Sequence, residues 1–140
     1  MRNKNGYSLI EVLIAILLLA LVAMAIIQIS IVAMRQNIQN AVRDEAVRVN
    51  ELYMTALRGR SLSYADANNI DLRTTGGAFV TLPTVTRTFR GGWNVFYQAR
   101  KNVASMATGD KESRIVTIEV KWNYRGQQYT HTATSIAGGD

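Results

Sequence analysis

Few side chains in this sequence could carry chemistry, and their spacing decides which kind. The 140 residues include one histidine and no cysteine. Thiolate catalysis, disulfide frameworks and cysteine-based zinc sites are therefore excluded. His131 sits in a threonine-rich run and has no second histidine with which to build a transition-metal site. Its expected place is a surface or a sheet edge. Asp66-Ala-Asn-Asn-Ile-Asp71 gathers oxygen ligands but lacks the spacing of a calcium loop. Asx-rich stretches of this sort turn and cap the chain. No glycine-rich phosphate loop occurs. The expectation is no catalytic residue, no metal site, no cofactor and no enzyme activity. One charged residue stands apart from this pattern. Glu11 lies inside an apolar run, shortly after Gly6 and Tyr7.

The run must be placed before Glu11 can be understood. Apolar residues are uninterrupted from Val12 to Ile27, and only Ser8 and Glu11 break the stretch back to Tyr7. At 1.5 Å per residue this stretch spans roughly 32 Å, about the thickness of a bilayer's hydrocarbon core. A buried core helix would show a polar face, and this one shows none. A secretory signal peptide would carry a shorter apolar region with a small-residue cut site behind it. A plain signal anchor fits better, because Arg2 and Lys4 would hold the N-terminus in the cytoplasm. That reading leaves Glu11 unexplained. A carboxylate in a spanning helix costs about 2.5–3.5 kcal/mol at the helix centre and usually has a partner.

The basic leader Met1-Arg-Asn-Lys-Asn-Gly6, followed by Tyr-Ser-Leu-Ile-Glu-Val at residues 7 to 12, resembles the type IV prepilin signature. That family has a basic leader ending in glycine, an aromatic or methionine first mature residue, and a glutamate at the fifth mature position. Gly6, Tyr7 and Glu11 occupy those places. The resemblance implies cutting by a prepilin peptidase between Gly6 and Tyr7 on the cytoplasmic side, then N-methylation of Tyr7. It also implies that Glu11 pairs with the terminal amine of a neighbouring subunit. The chemistry is intelligible. Glycine lets an active site approach the bare backbone. A buried charge with a partner is tolerated where an unpaired one is not. Many family members carry a proline midway along the anchor; Gln28 stands at the corresponding place here, so no proline kink is expected.

Beyond the anchor, apolar residues fall at Met34, Ile38, Ala41, Val42, Val49, Leu52, Tyr53, Ala56 and Leu57. Steps of three and four predict one stripe of an amphipathic helix. No Pro or Gly interrupts Tyr7 to Arg58, and Gly59 is the expected terminator. Such a helix would be nearly 80 Å long. A globular domain of about 100 residues has a radius of gyration of about 13 Å, so the first half is expected to project from the head.

Residues 59 to 77 have the composition of a loop, and then the period changes to two. Ala78 to Phe89 contains the only proline, Pro83, which predicts an edge strand or two short pieces. Gly91-Gly92 is a turn, Trp93 to Ala99 a strand, and residues 100 to 113 a polar loop. Val116, Ile118, Val120 and Trp122 alternate with polar residues in the clearest strand of the chain. Arg125-Gly126 turns it back into Gln128 to Ile136. The expectation is a three- or four-stranded antiparallel sheet packed on the helix stripe. Trp93, Phe96, Trp122, Tyr124 and Tyr129 are expected in core and sheet-face contacts. The fold class is α+β, and its helix-then-sheet order is similar to the pilin fold.

The divisions are then a leader over 1–6, a transmembrane and assembly helix over 7–34, its amphipathic half over 35–58, and a periplasmic head over 59–140. The closing part, Ile115 to Ile136, resembles the final hairpin of minor pilins of the pilus modification type. The same strand pattern appears in minor pseudopilins of type II secretion. The resemblance therefore implies a structural subunit of a pilus or pseudopilus. It would sit first in the inner membrane, and its partners would be other pilins or pseudopilins through their N-terminal helices. The formal charge of +6 admits a DNA-capturing pilin as an alternative. The dispersed basic residues have the pattern of a solvated surface instead, and no nucleic-acid partner is expected.

Overall fold

A computed structural model describes residues 8–108 and 111–138. Helix α1 runs over Leu9–Arg58. Five strands follow: β1 Val80–Thr81, β2 Val85–Thr88, β3 Asn94–Thr108, β4 Lys111–Tyr124 and β5 Gln127–Gly138. The chain forms two units, Met1–Asn40 and Ala41–Asp140.

In the first unit, every described side chain is exposed except the half-buried Ile38. The carbonyl of Ser8 accepts from the Glu11 and Val12 amides at 2.9 and 3.3 Å and so begins the helix. Glu11 lies in that first turn, where a carboxylate complements the positive end of the helix dipole. Ser30 returns its hydroxyl to the Ile26 carbonyl at 3.0 Å, which satisfies its donor without a neighbour.

The second unit is an α+β arrangement, the C-terminal part of α1 packed on a small antiparallel sheet. Val42, Ala46, Val49, Asn50, Tyr53, Met54 and Leu57 are buried, a stripe at the spacing of one helix face. The sheet has the order β1-β3-β4-β5, with β2 also paired to β3. Val95, Tyr97, Ala99, Lys101 and Val103 of β3 point inward, as do Val116, Ile118, Val120 and Trp122 of β4. This is the period-two alternation of a sheet buried on one face.

Three expectations need correction. The sheet has five strands, because Pro83 splits the Ala78–Phe89 segment into two short ones that both count. Strand β3 does not stop at Ala99. It continues to Thr108 and pairs with β4 through to Thr108↔Lys111. Phe96 is not a core residue; it is 60% exposed, on the face opposite Val95 and Tyr97. Of the other aromatics, Trp122 is buried and Trp93, Tyr124 and Tyr129 are half-buried. Trp122 stacks on Tyr129 at 5.8 Å, and Phe89 stacks on Trp93 at 4.7 Å.

The turns follow their sequence signals. Arg125 and Gly126 have φ of 52° and 77° and join Tyr124 to Gln127 as a two-residue hairpin. Helix α1 ends at Arg58, and the Gly59 amide still donates to the Thr55 carbonyl at 3.3 Å.

Candidate functional site

The first candidate site is the start of the chain. Gly6 and Tyr7, the expected cleavage and methylation positions, lie outside the described residues. Glu11 is described and stands exposed on the first turn of α1. No ion pair joins it to another described residue. From Leu9 to Met34 the helix presents large apolar side chains on all sides; Leu13, Leu17 and Val32, for example, are each at least half exposed. By length and composition α1 can cross a membrane. The structure thus sets one carboxylate at the beginning of an unpartnered apolar helix. Such a surface is stable only in lipid or against other apolar helices.

The second candidate is Asp66 to Asp71, and here the oxygens already have partners. Asn68 donates its amide to Asp66 Oδ1 at 2.7 Å, an Asx turn, and the Tyr64 hydroxyl reaches Asp66 Oδ2 at 3.3 Å. Asn69 takes a left-handed φ of 63°, and its side chain donates to the Thr81 carbonyl at 3.2 Å. Asp71 is buried against Lys101, whose ammonium donates to the Asp71 carboxylate and to the Asp71 backbone carbonyl, each at 2.5 Å. Burial alone pushes the Asp71 carboxyl up. Hydrogen bonds from Lys101, Asp66 and Arg73, with the charge of Lys101, outweigh burial and hold it below the ordinary value. This segment therefore fastens the loop after α1 onto β3.

Sequence reasoning missed that pair because Lys101 occupies an inward strand position and its partner lies 30 residues away. Other long-range bonds fasten the helix. Tyr97 OH donates to the Val42 carbonyl at 3.0 Å, Asn50 Nδ2 to the Ile118 carbonyl at 3.2 Å, and Tyr53 OH to the Pro83 carbonyl at 2.5 Å. Burial, then the negative charge of Glu45, raises the Tyr97 phenol, and burial raises that of Tyr53. A polar group buried in this way needs its bond, so these contacts fix how α1 lies on the sheet.

His131 is half-buried on β5 opposite Val120. It lines a hollow of about 310 Å³ with Glu51, Met54 and Arg58, whose guanidinium donates to Ser135 Oγ at 2.6 Å. Among the described residues, no group of three His, Asp or Glu is placed to hold a metal ion.

Comparison with known proteins gives one match. Residues 1–27 match the family model described as the prokaryotic N-terminal methylation motif. Neither the curated proteins nor the solved structures yield a match. With Glu11 at the head of an exposed apolar helix, and a small sheet packed on that helix's C-terminal part, the matched motif makes this chain similar to the type IV pilins and pseudopilins, which carry a prepilin-type leader.

Proposed function

We propose that this chain is a minor type IV pilin, a structural subunit that helps initiate or modify pilus assembly after its leader is removed. The observation that carries the reading is the methylation motif over residues 1–27, within which Gly6, Tyr7 and Glu11 keep the prepilin spacing. On this reading prepilin peptidase cuts between Gly6 and Tyr7 on the cytoplasmic side, and Tyr7 is then N-methylated. Residues 7–34 hold the subunit in the inner membrane and later pack among the helices of other pilins. Residues 35–58 are the amphipathic half of the same helix, and residues 59–140 form the loop and sheet of a periplasmic head.

Glu11 supplies register. The new amine at residue 7 lies four helical positions away, about 6 Å along the axis. A neighbour shifted axially by that amount brings its amine to Glu11. An apolar surface slides without preference, whereas a single charge pair in lipid selects one offset. The absence of proline in the anchor supports an accessory subunit, because Gln28 leaves the helix no proline kink.

The basic residues give a nucleic-acid role little support. Arg87 is held by Glu45, Arg100 and Lys121 by Glu119, and Lys101 by Asp71. Cations held against carboxylates and dispersed over the head do not form the open basic stripe that phosphate binding requires.

Deletion in the native host tests the assignment. Loss or shortening of pili with protein secretion intact is the expected result. Loss of secretion with normal pili would place the chain in a type II pseudopilus instead.

A further inference from the structure

Strand β5 closes one side of the sheet, and among the described residues no backbone other than that of β4 pairs with it. All 12 of its residues pair with β4 in one unbroken register. It carries no Asp, Glu, Lys or Arg and no proline. Sheet edges are ordinarily blunted by charge, proline, a bulge or shortness, because alternate residues turn their N–H and C=O groups outward. The opposite edge follows that rule: β1 and β2 have 2 and 4 residues, with Pro83 between them. β5 has none of these devices. The hollow of about 310 Å³ between β5 and α1 runs along this edge. Its lining includes Val47, Asn50 and Glu51 of α1 and the consecutive Ala133, Thr134 and Ser135 of β5. Consecutive strand residues point to opposite faces, so a hollow that touches all three reaches the strand's backbone edge. Two acceptors among the lining residues lack donors. Asn50 gives Nδ2 to the Ile118 carbonyl, while its Oδ1 is buried and has no partner among the described residues. Glu51 is exposed and forms no ion pair among the described residues. Arg48, near it in sequence, pairs with Glu45 at 3.6 Å. Arg58 lies about 10 Å further along α1, turned onto Ser135.

We propose that the groove along β5 and α1 takes an extended segment of a partner polypeptide as an added strand, with a basic side chain seated beside Glu51 and Asn50. A row of outward backbone donors and acceptors is complementary to another extended backbone. Alternate side chains of the added strand face the hollow, and a Lys or Arg there brings donors to the carboxylate and to the buried amide oxygen. The partner is a different chain. Antiparallel β5–β5 pairing of two copies needs a twofold axis normal to the sheet, which turns the packed α1 segments in opposite directions. Copies anchored side by side in one membrane share a direction, so they cannot make that pair. The strand addition goes beyond the subunit role and does not rest on it; the exclusion of a second copy rests on the membrane anchor.

The test is fluorescence anisotropy of a labelled, end-capped heptapeptide, Thr-Val-Thr-Lys-Thr-Val-Thr, titrated with the full chain in an uncharged detergent. The wild type binds it saturably. Exchanging the peptide's lysine for glutamate weakens binding at least about tenfold. Glu51→Gln weakens binding of the lysine peptide about three- to tenfold, and Glu112→Gln, an exposed carboxylate on β4, leaves it unchanged. Both variants replace exposed side chains, and circular dichroism checks that they fold. Two further peptides separate strand addition from mere adhesion. One is N-methylated on its odd residues and the other on its even residues, and only one of these sets faces β5. One peptide therefore loses binding at least about tenfold while the other keeps it. Failure of the wild type to bind the lysine peptide overturns the proposal. So does equal binding of the lysine and glutamate peptides, or equal behaviour of the two methylated ones. A wild type that sediments as a dimer in the detergent and binds no peptide overturns it in favour of a second copy on the edge.

Discussion

At the scale of single residues, two carboxylates divide the work. Glu11 stands at the start of an apolar helix with no charge partner among the described residues, and on the proposed reading it pairs with the amine of a neighbouring subunit. Glu11→Ala is expected to leave membrane insertion intact and lower incorporation into sheared filaments at least about tenfold. Incorporation equal to wild type would remove its role in register. Asp71 has its partner inside the fold, and its carboxyl is held below the ordinary 3.8 despite burial. A lowered carboxyl contributes stability that is present above the unfolded value and is lost as pH falls through the folded one. The head should therefore lose stability in acid, below about pH 4, and Asp71→Asn should flatten that part of the profile. At neutral pH the same variant strands Lys101 and is expected to cost about 3–5 kcal/mol in urea unfolding. Asp71→Asn with Lys101→Met should recover much of the loss. The buried pair also explains what the sequence concealed. Lys101 breaks the apolar alternation of β3, so residues 100 to 113 have the composition of a loop. Only the distant Asp71 makes a lysine acceptable at an inward position.

At the scale of elements, legibility followed how local each signal was. The helix needed only its uninterrupted apolar and amphipathic pattern, and β4 only its alternation. The Arg125-Gly126 turn needed two residues, both of which adopt positive φ. Arg125 is the less suited of the two, and Arg125→Asn is expected to stabilise the hairpin by about 1 kcal/mol in thermal melts. The packing of α1 on the sheet depends on contacts far apart in sequence, and Leu57 lies fully buried in it. Leu57→Ala is expected to cost about 2–5 kcal/mol, measured by denaturant unfolding. The exposed Leu52, on the same helix, should tolerate alanine with a far smaller change.

At the scale of the whole molecule, the chain combines a head that has its own buried core with a helix segment whose apolar surface is exposed. Within the head, Glu45, Asp71 and Glu119 each hold two cations, and Lys101 with Asp71 fastens the loop. The large apolar side chains from Leu9 to Met34 are exposed and call for lipid or other helices. On the proposed reading, a leader cut before this segment keeps the anchor and frees an amine near Glu11, and this would join processing to assembly. Mass spectrometry of the mature protein, made in cells that contain a prepilin peptidase, tests that link directly. The account predicts a chain that has lost residues 1–6 and begins at an N-methylated Tyr7. A mature chain that still begins at Met1, or one cut behind the apolar run, would contradict it.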